Sequence, residues 1–114
     1  MPAAFADDRE AAADIGERYA RKPFFSREGW DIELVDDAQV ERGPEGGYGE
    51  EGEIIQELAP LPTFGGLRPV VGSWIVGVEP VAMSIREDDL AITRDKARFV
   101  PHAITWSGSE RDGV

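Results

Sequence analysis

Lys22 stands directly before Pro23 in a strand-like stretch, and Arg27 follows five residues later. On a hairpin both cations can face one side and receive an anion, and a phosphate suits them through charge-assisted hydrogen bonds. In a chain of net charge −11 such a small cationic patch stands out more than it would on a basic protein. Spacing alone equally allows both to be surface ion pairs with Glu28, Asp31 or Glu33. Arg86 precedes Glu87, Asp88 and Asp89 at the end of an apolar run. An arginine there can reach an oxyanion while the carboxylates beside it hold a divalent cation, and Mg²⁺ with a nucleotide is the natural pairing. The alternative is a solvated turn between strands, where Asp and Glu are common.

Other chemistries are excluded by what the chain lacks. His102 is the only histidine and cysteine is absent, so thiolate metal sites, cysteine nucleophiles and multi-histidine sites within one chain fall away. A packed structural role suits His102. Ser26, Ser73 and Ser84 have no base nearby, and no G-x-S-x-G, P-loop or G-x-G-x-x-G pattern occurs. Trp30, Trp74 and Trp106 read as packing aromatics. With 12 Lys and Arg against 23 Asp and Glu, nucleic-acid binding is not expected, because neutralising a phosphate backbone needs the opposite balance. No stretch reaches the ~18 consecutive apolar residues of a membrane span, and Met1 to Asp8 lacks the features of a signal peptide. A cytoplasmic protein that meets no membrane is expected.

The elements that must position these residues fit a single domain of 114 residues with a modest core. Residues 6–20 predict a short amphipathic helix, with Asp7 or Asp8 as N-cap and Ala11 or Ala12, Ile15 and Tyr19 at helical spacing. Tyr19 to Phe25 and Trp30 to Val35 predict a hairpin with a charged tip. Residues 36–53 interleave acids with glycines and predict a mobile, solvated loop. Ile54 to Leu58 predicts a buried strand, and Pro60, Leu61 and Pro62 a hinge-like break. Leu67 to Val76 and Pro80 to Ile85 predict two antiparallel strands around a tight turn at Gly77, and Leu90 to Thr93 one more short strand. A frayed tail is expected after Trp106.

Five ordered motifs give these elements a family likeness. They are the run Lys22 to Gly29, then Gly49 to Gly52, then Ile55 to Leu58 with Pro60 to Pro62, then Gly72 to Trp74 with Ile85 to Asp89, and last Arg98 to His102. In this order the chain resembles the C-terminal part of the glutathionylspermidine synthase family, over about Met1 to Ile104. The likeness implies an α+β, partial ATP-grasp-like fold, mostly antiparallel sheet with one or two short helices. It also implies an ATP-dependent carboxylate–amine ligase, which activates a glutathione-like carboxylate as an acyl phosphate for attack by an amine such as spermidine.

By the same resemblance, Lys22 corresponds to a lysine on the nucleotide phosphates, and Arg27 to Asp31 to the loop that closes over them. Gln56, Glu57, Leu58 and Ala59 resemble the hinge strand that meets adenine through backbone groups. Arg86 matches an arginine near the reacting phosphoryl group, the one catalytic assignment. Ala91, Ile92 and Thr93 resemble a strand lining the nucleotide. ATP and Mg²⁺ are the implied cofactors, with the metal ligands expected mainly outside this chain. The chain departs from the family pattern at Trp30 and Asp31.

Family members are several times longer, and Met1 to Phe5 resembles the middle of one. Residues 1–106 are therefore expected to be a truncated or split C-terminal segment, with the acidic glycine-rich loop at 36–53 and a disordered tail at 107–114. Catalysis alone is not expected. The implied partners are ATP and either a complementing synthetase chain or a second copy. The alternative is a non-enzymatic interaction module or degenerate fragment that associates with a larger homologue or with itself.

Overall fold

A computed structural model describes residues 1–105. Trp106 and the tail expected at 107–114 lie outside the described residues.

Alternating side chains and local turns build two antiparallel sheets. The first has five strands in the order β1-β5-β2-β3-β4, and the second three in the order β6-β7-β8. In the first, β2 (Arg18–Pro23) pairs with β3 (Glu33–Asp36) on one side and β5 (Glu53–Glu57) on the other. Flanking these are β1 (Ala3–Phe5) and β4 (Gln39–Arg42). In the second sheet, β6 (Arg68–Val76) and β7 (Glu79–Asp88) form a long hairpin that turns at Gly77, with β8 (Arg98–Val100) beside the base of β7. Residues 58–67, with Pro60 and Pro62, connect the sheets, as the hinge-like break predicted.

Helix is almost absent, which corrects the α+β expectation to a β-rich fold. The one helix among the described residues, α1, covers only Arg9–Ala13. Asp8 caps it, its carboxylate accepting from the Ala11 N–H at 3.1 Å. The helical spacing through Ile15 to Tyr19 does not win, because α1 buries no residue and Tyr19 gains ladder partners in β2, opposite Val35 and Glu57.

The 36–53 segment is also corrected. It contains β4, which follows β3 through a tight turn at Asp37, and Val40 opposes Val35. Its acidic remainder is tied down by Asp31, whose carboxylate accepts from the Gly46 N–H at 3.0 Å and the Tyr48 N–H at 2.8 Å. Leu90 to Thr93 forms a bend, not the predicted strand. Buried apolar side chains are few: Ala20, Ile55 and Ile92.

A candidate nucleotide cleft between the two sheets

Register places one row of side chains across the first sheet. Gln56 opposes Ala20, Ala20 opposes Leu34, and Leu34 opposes Glu41. Directly opposed residues share a face in a pleated sheet, so Lys22, two residues beyond Ala20, stands on this face too. Its Nζ donates to Gln56 Oε1 at 2.8 Å in a partly buried setting. A neutral amide therefore orients the ammonium without cancelling its charge.

This face forms one wall of a cleft of about 700 Å³. Of the ten site residues that the resemblance implied individually, all but Arg27 and Arg86 line it: Lys22, Gln56, Glu57, Leu58, Ala59, Ala91, Ile92 and Thr93 are on its walls. Arg27 lines an adjoining hollow of about 470 Å³ that shares Lys22 with the cleft. Arg86 lines neither among these. It sits on β7 opposite Val70, a cleft-lining residue, and thus on the cleft-side face of the second sheet.

The carboxylates after Arg86 are engaged by arginines. Arg98 Nη2 pairs with Glu87 at 2.9 Å. Arg94 pairs with both Asp88 and Asp89, and its Nε also donates to Asp88 Oδ2 at 3.0 Å. Asp88 is only 5% exposed, so neither a solvated turn nor a divalent-cation site describes it. Arg94 holds the Asp88 carboxyl far below the usual carboxylate range, overcoming the burial that pushes it up. Backbone N–H groups of Leu90 and Arg94 complete its shell, which folds the bend of residues 89–94 around it. These donors do not fit Mg²⁺, and no group of three or more His, Cys, Asp or Glu gathers for a metal among the described residues.

That bend docks onto the first sheet. The Ile92 N–H donates to Glu41 Oε1 at 3.0 Å, and the Ile92 side chain is 3% exposed. Gly29 makes room for it, and Gly43 lets its own loop meet that of Gly29. A Cβ on Gly29 would stand 2.6 Å from Ile92 Cγ2, and one on Gly43 only 1.9 Å from the Gly29 carbonyl oxygen. Sequence reasoning missed Glu41, Asp88 as a structural anchor, and the cleft-lining Arg68 and Val70. Val40 is the one apolar residue in Gln39 to Arg42, so β4 left no alternation to find among the acids and glycines around it.

A family profile described as Glutathionylspermidine synthase preATP-grasp matches residues 1–105. The chain belongs to this family. As a member of the glutathionylspermidine synthase preATP-grasp family, it is similar to a Haemophilus influenzae protein that carries the name acid–amine ligase, at 34% identity over 90 residues. It is also similar to the trypanothione synthetase of Crithidia fasciculata, at 36% identity over 97 residues. These matches cover 74% and 76% of this chain but only 23% and 15% of the two relatives. The likeness seen in the five sequence motifs is thus a family relationship. No helix among the described residues is long and apolar enough to cross a membrane.

Proposed function

We propose that this chain is the ATP-binding segment of an ATP-dependent acid–amine ligase with an ATP-grasp-like cleft. The observation that carries this reading is Lys22, oriented by Gln56 on the wall of a cleft that also gathers residues 56–59 and 91–93. An apolar slot with backbone groups suits adenine, and a cation at its side suits phosphate. Arg27, in the adjoining hollow, extends the cationic surface toward the terminal phosphates, and Arg86 stands on the cleft-side face for the reacting phosphoryl group.

The carboxylate attacks the γ-phosphorus of ATP and displaces ADP, and the amine then attacks the acyl phosphate, losing a proton and displacing inorganic phosphate as the amide forms. Stabilising that transfer needs donors converging from both sides of the reacting group. We therefore assign turnover to a ligase of the relatives' full length. The Mg²⁺ that accompanies ATP would be held mainly by residues outside this chain. An ATP-consuming ligase belongs where ATP is plentiful, and the cytoplasm is the proposed location.

Calorimetric titration of the purified chain with Mg·ATP and with AMP tests the reading. Saturable ATP binding is expected, and Lys22→Ala should weaken ATP about tenfold or more while leaving AMP nearly unchanged, since only ATP extends phosphates to the lysine. Equal losses for both nucleotides would remove Lys22 from this role. No binding by folded wild-type chain would reject the nucleotide reading itself.

One observation favours a second reading, a non-enzymatic interaction module. The far half of the β6–β7 hairpin exposes Trp74, Ile75, Val76 and Val78, an apolar surface of the kind that meets other proteins. Association with a larger homologue or a second copy, seen by sedimentation without any nucleotide affinity, would favour this reading.

A further inference from the structure

We propose that Glu41 is a positioning residue that sets the second wall of the nucleotide cleft. It does so by tying the 89–94 bend of one sheet to the edge strand of the other. This rests on the reading of the cleft as a nucleotide site, in which Ala91 to Thr93 face the ligand.

The two sheets share no strand pairing among the described residues. The connecting segment 58–67 joins them covalently at one place, and a second tie is needed to fix their separation. The Glu41–Ile92 hydrogen bond is such a tie, formed between residues 51 positions apart. Its surroundings are built for it. Ile92 is the least exposed of the buried apolar residues; Gly29 lacks the side chain that would keep it out, and Gly43 the one that would push Gly29 away. From its own side, the bend is held by Asp88 through the N–H groups of Leu90 and Arg94.

The short segment that carries Ala91 and Thr93 into the cleft is thus gripped by two carboxylates, one in each lobe. Glu41 is the one that reaches across. A charged acceptor gives a stronger hydrogen bond than a neutral one, and the neutral amide of Gln at the same position retains an acceptor. The geometry therefore separates the loss of the tie from the loss of its charge.

The test combines amide hydrogen exchange on the full chain with ATP and AMP titration, for wild type, Glu41→Ala and Glu41→Gln. Glu41→Ala is expected to speed exchange at the Ile92 N–H by about tenfold or more and to weaken ATP and AMP by the same factor. The wall contacts the part common to both nucleotides, unlike Lys22. Glu41→Gln should restore most of the protection and most of the affinity.

Unchanged Ile92 exchange in Glu41→Ala would overturn the tie, and faster exchange with both affinities intact would overturn the positioning role. Equal loss of protection at Ala20 and Ile55 would make Glu41 a general stability residue and also overturn it. Wild-type chain that binds neither nucleotide rejects the nucleotide reading, and with it the positioning role, while the Ile92 exchange rate still reports whether the tie exists.

Discussion

Gln56 alters what an anion would meet at Lys22. The resemblance gives Gln56 to adenine through its backbone, yet its side chain accepts from the Lys22 ammonium at 2.8 Å. Gln56→Glu places a carboxylate where a phosphate must compete for the same ammonium. Its ATP affinity is expected to fall on the order of tenfold, with AMP less affected and Gln56→Ala milder than either Gln56→Glu or Lys22→Ala, all by calorimetry. Asp88 carries a different signature. Its folded-state carboxyl titrates below the ordinary range, chiefly because of the Arg94 hydrogen bonds and against the opposing effect of burial. Such a group contributes stability in full above its unfolded value of about 3.9 and loses it progressively as pH falls below that. Asp88→Asn should cost roughly 3 kcal/mol at neutral pH, as breaking a buried ion pair does. It should also flatten the fall of melting temperature with acidification below about pH 4. A wild-type slope retained in the variant would assign acid sensitivity to other groups.

At the scale of elements, the close approach of two loops decides whether the cleft has a second wall. Gly43→Ala would set a methyl group against the Gly29 carbonyl, where the available separation is 1.9 Å. The backbone must shift, and a loss of roughly 2 kcal/mol in chemical denaturation is expected, together with faster exchange at the Ile92 N–H. Much of the sheet was legible beforehand. The strand-like stretch at Tyr19 to Phe25, the alternation in Trp30 to Val35, the apolar run at Ile54 to Leu58 and the two stretches around Gly77 are long enough to show a strand signal, and each contributes a strand. Strands of three residues, Ala3–Phe5 and Arg98–Val100, are too short to show one. β4 was masked by the acids and glycines around it, and α1 was overextended because helical spacing says nothing of the ladder that captured Tyr19. Eight of the residues lining the cleft, Ile92 among them, were named through family likeness. Glu41 and its bond to Ile92 were not, since a hydrogen bond across 51 residues leaves no mark in either local stretch. Asp88 looked like one acid in a polar turn, and only burial distinguishes it from Asp89.

The whole molecule measures 58 × 31 × 29 Å, with a radius of gyration of 17.7 Å, against about 13 Å for a compact chain of this length. Its long hairpin leaves Trp74 63% and Val78 89% exposed. Paired Trp74→Ser and Val76→Ser substitutions are expected to reduce binding of a hydrophobic dye. They should leave stability to denaturant within about 0.5 kcal/mol, because neither side chain belongs to the buried set. A marked loss of stability would mean that the hairpin tip supports the fold. The strand order of the first sheet bears on synthesis as well. Because β5 lies between β1 and β2, these two strands, both made before it, cannot pair with one another. They wait with a vacant place between them until residue 57 has emerged. The cleft waits longer still, until Arg94 has been added and can close on Asp88. During translation, then, the hairpin of β2 and β3 is the part of the cleft wall that can form early, while the cleft as a whole matures only after residue 94 has been made.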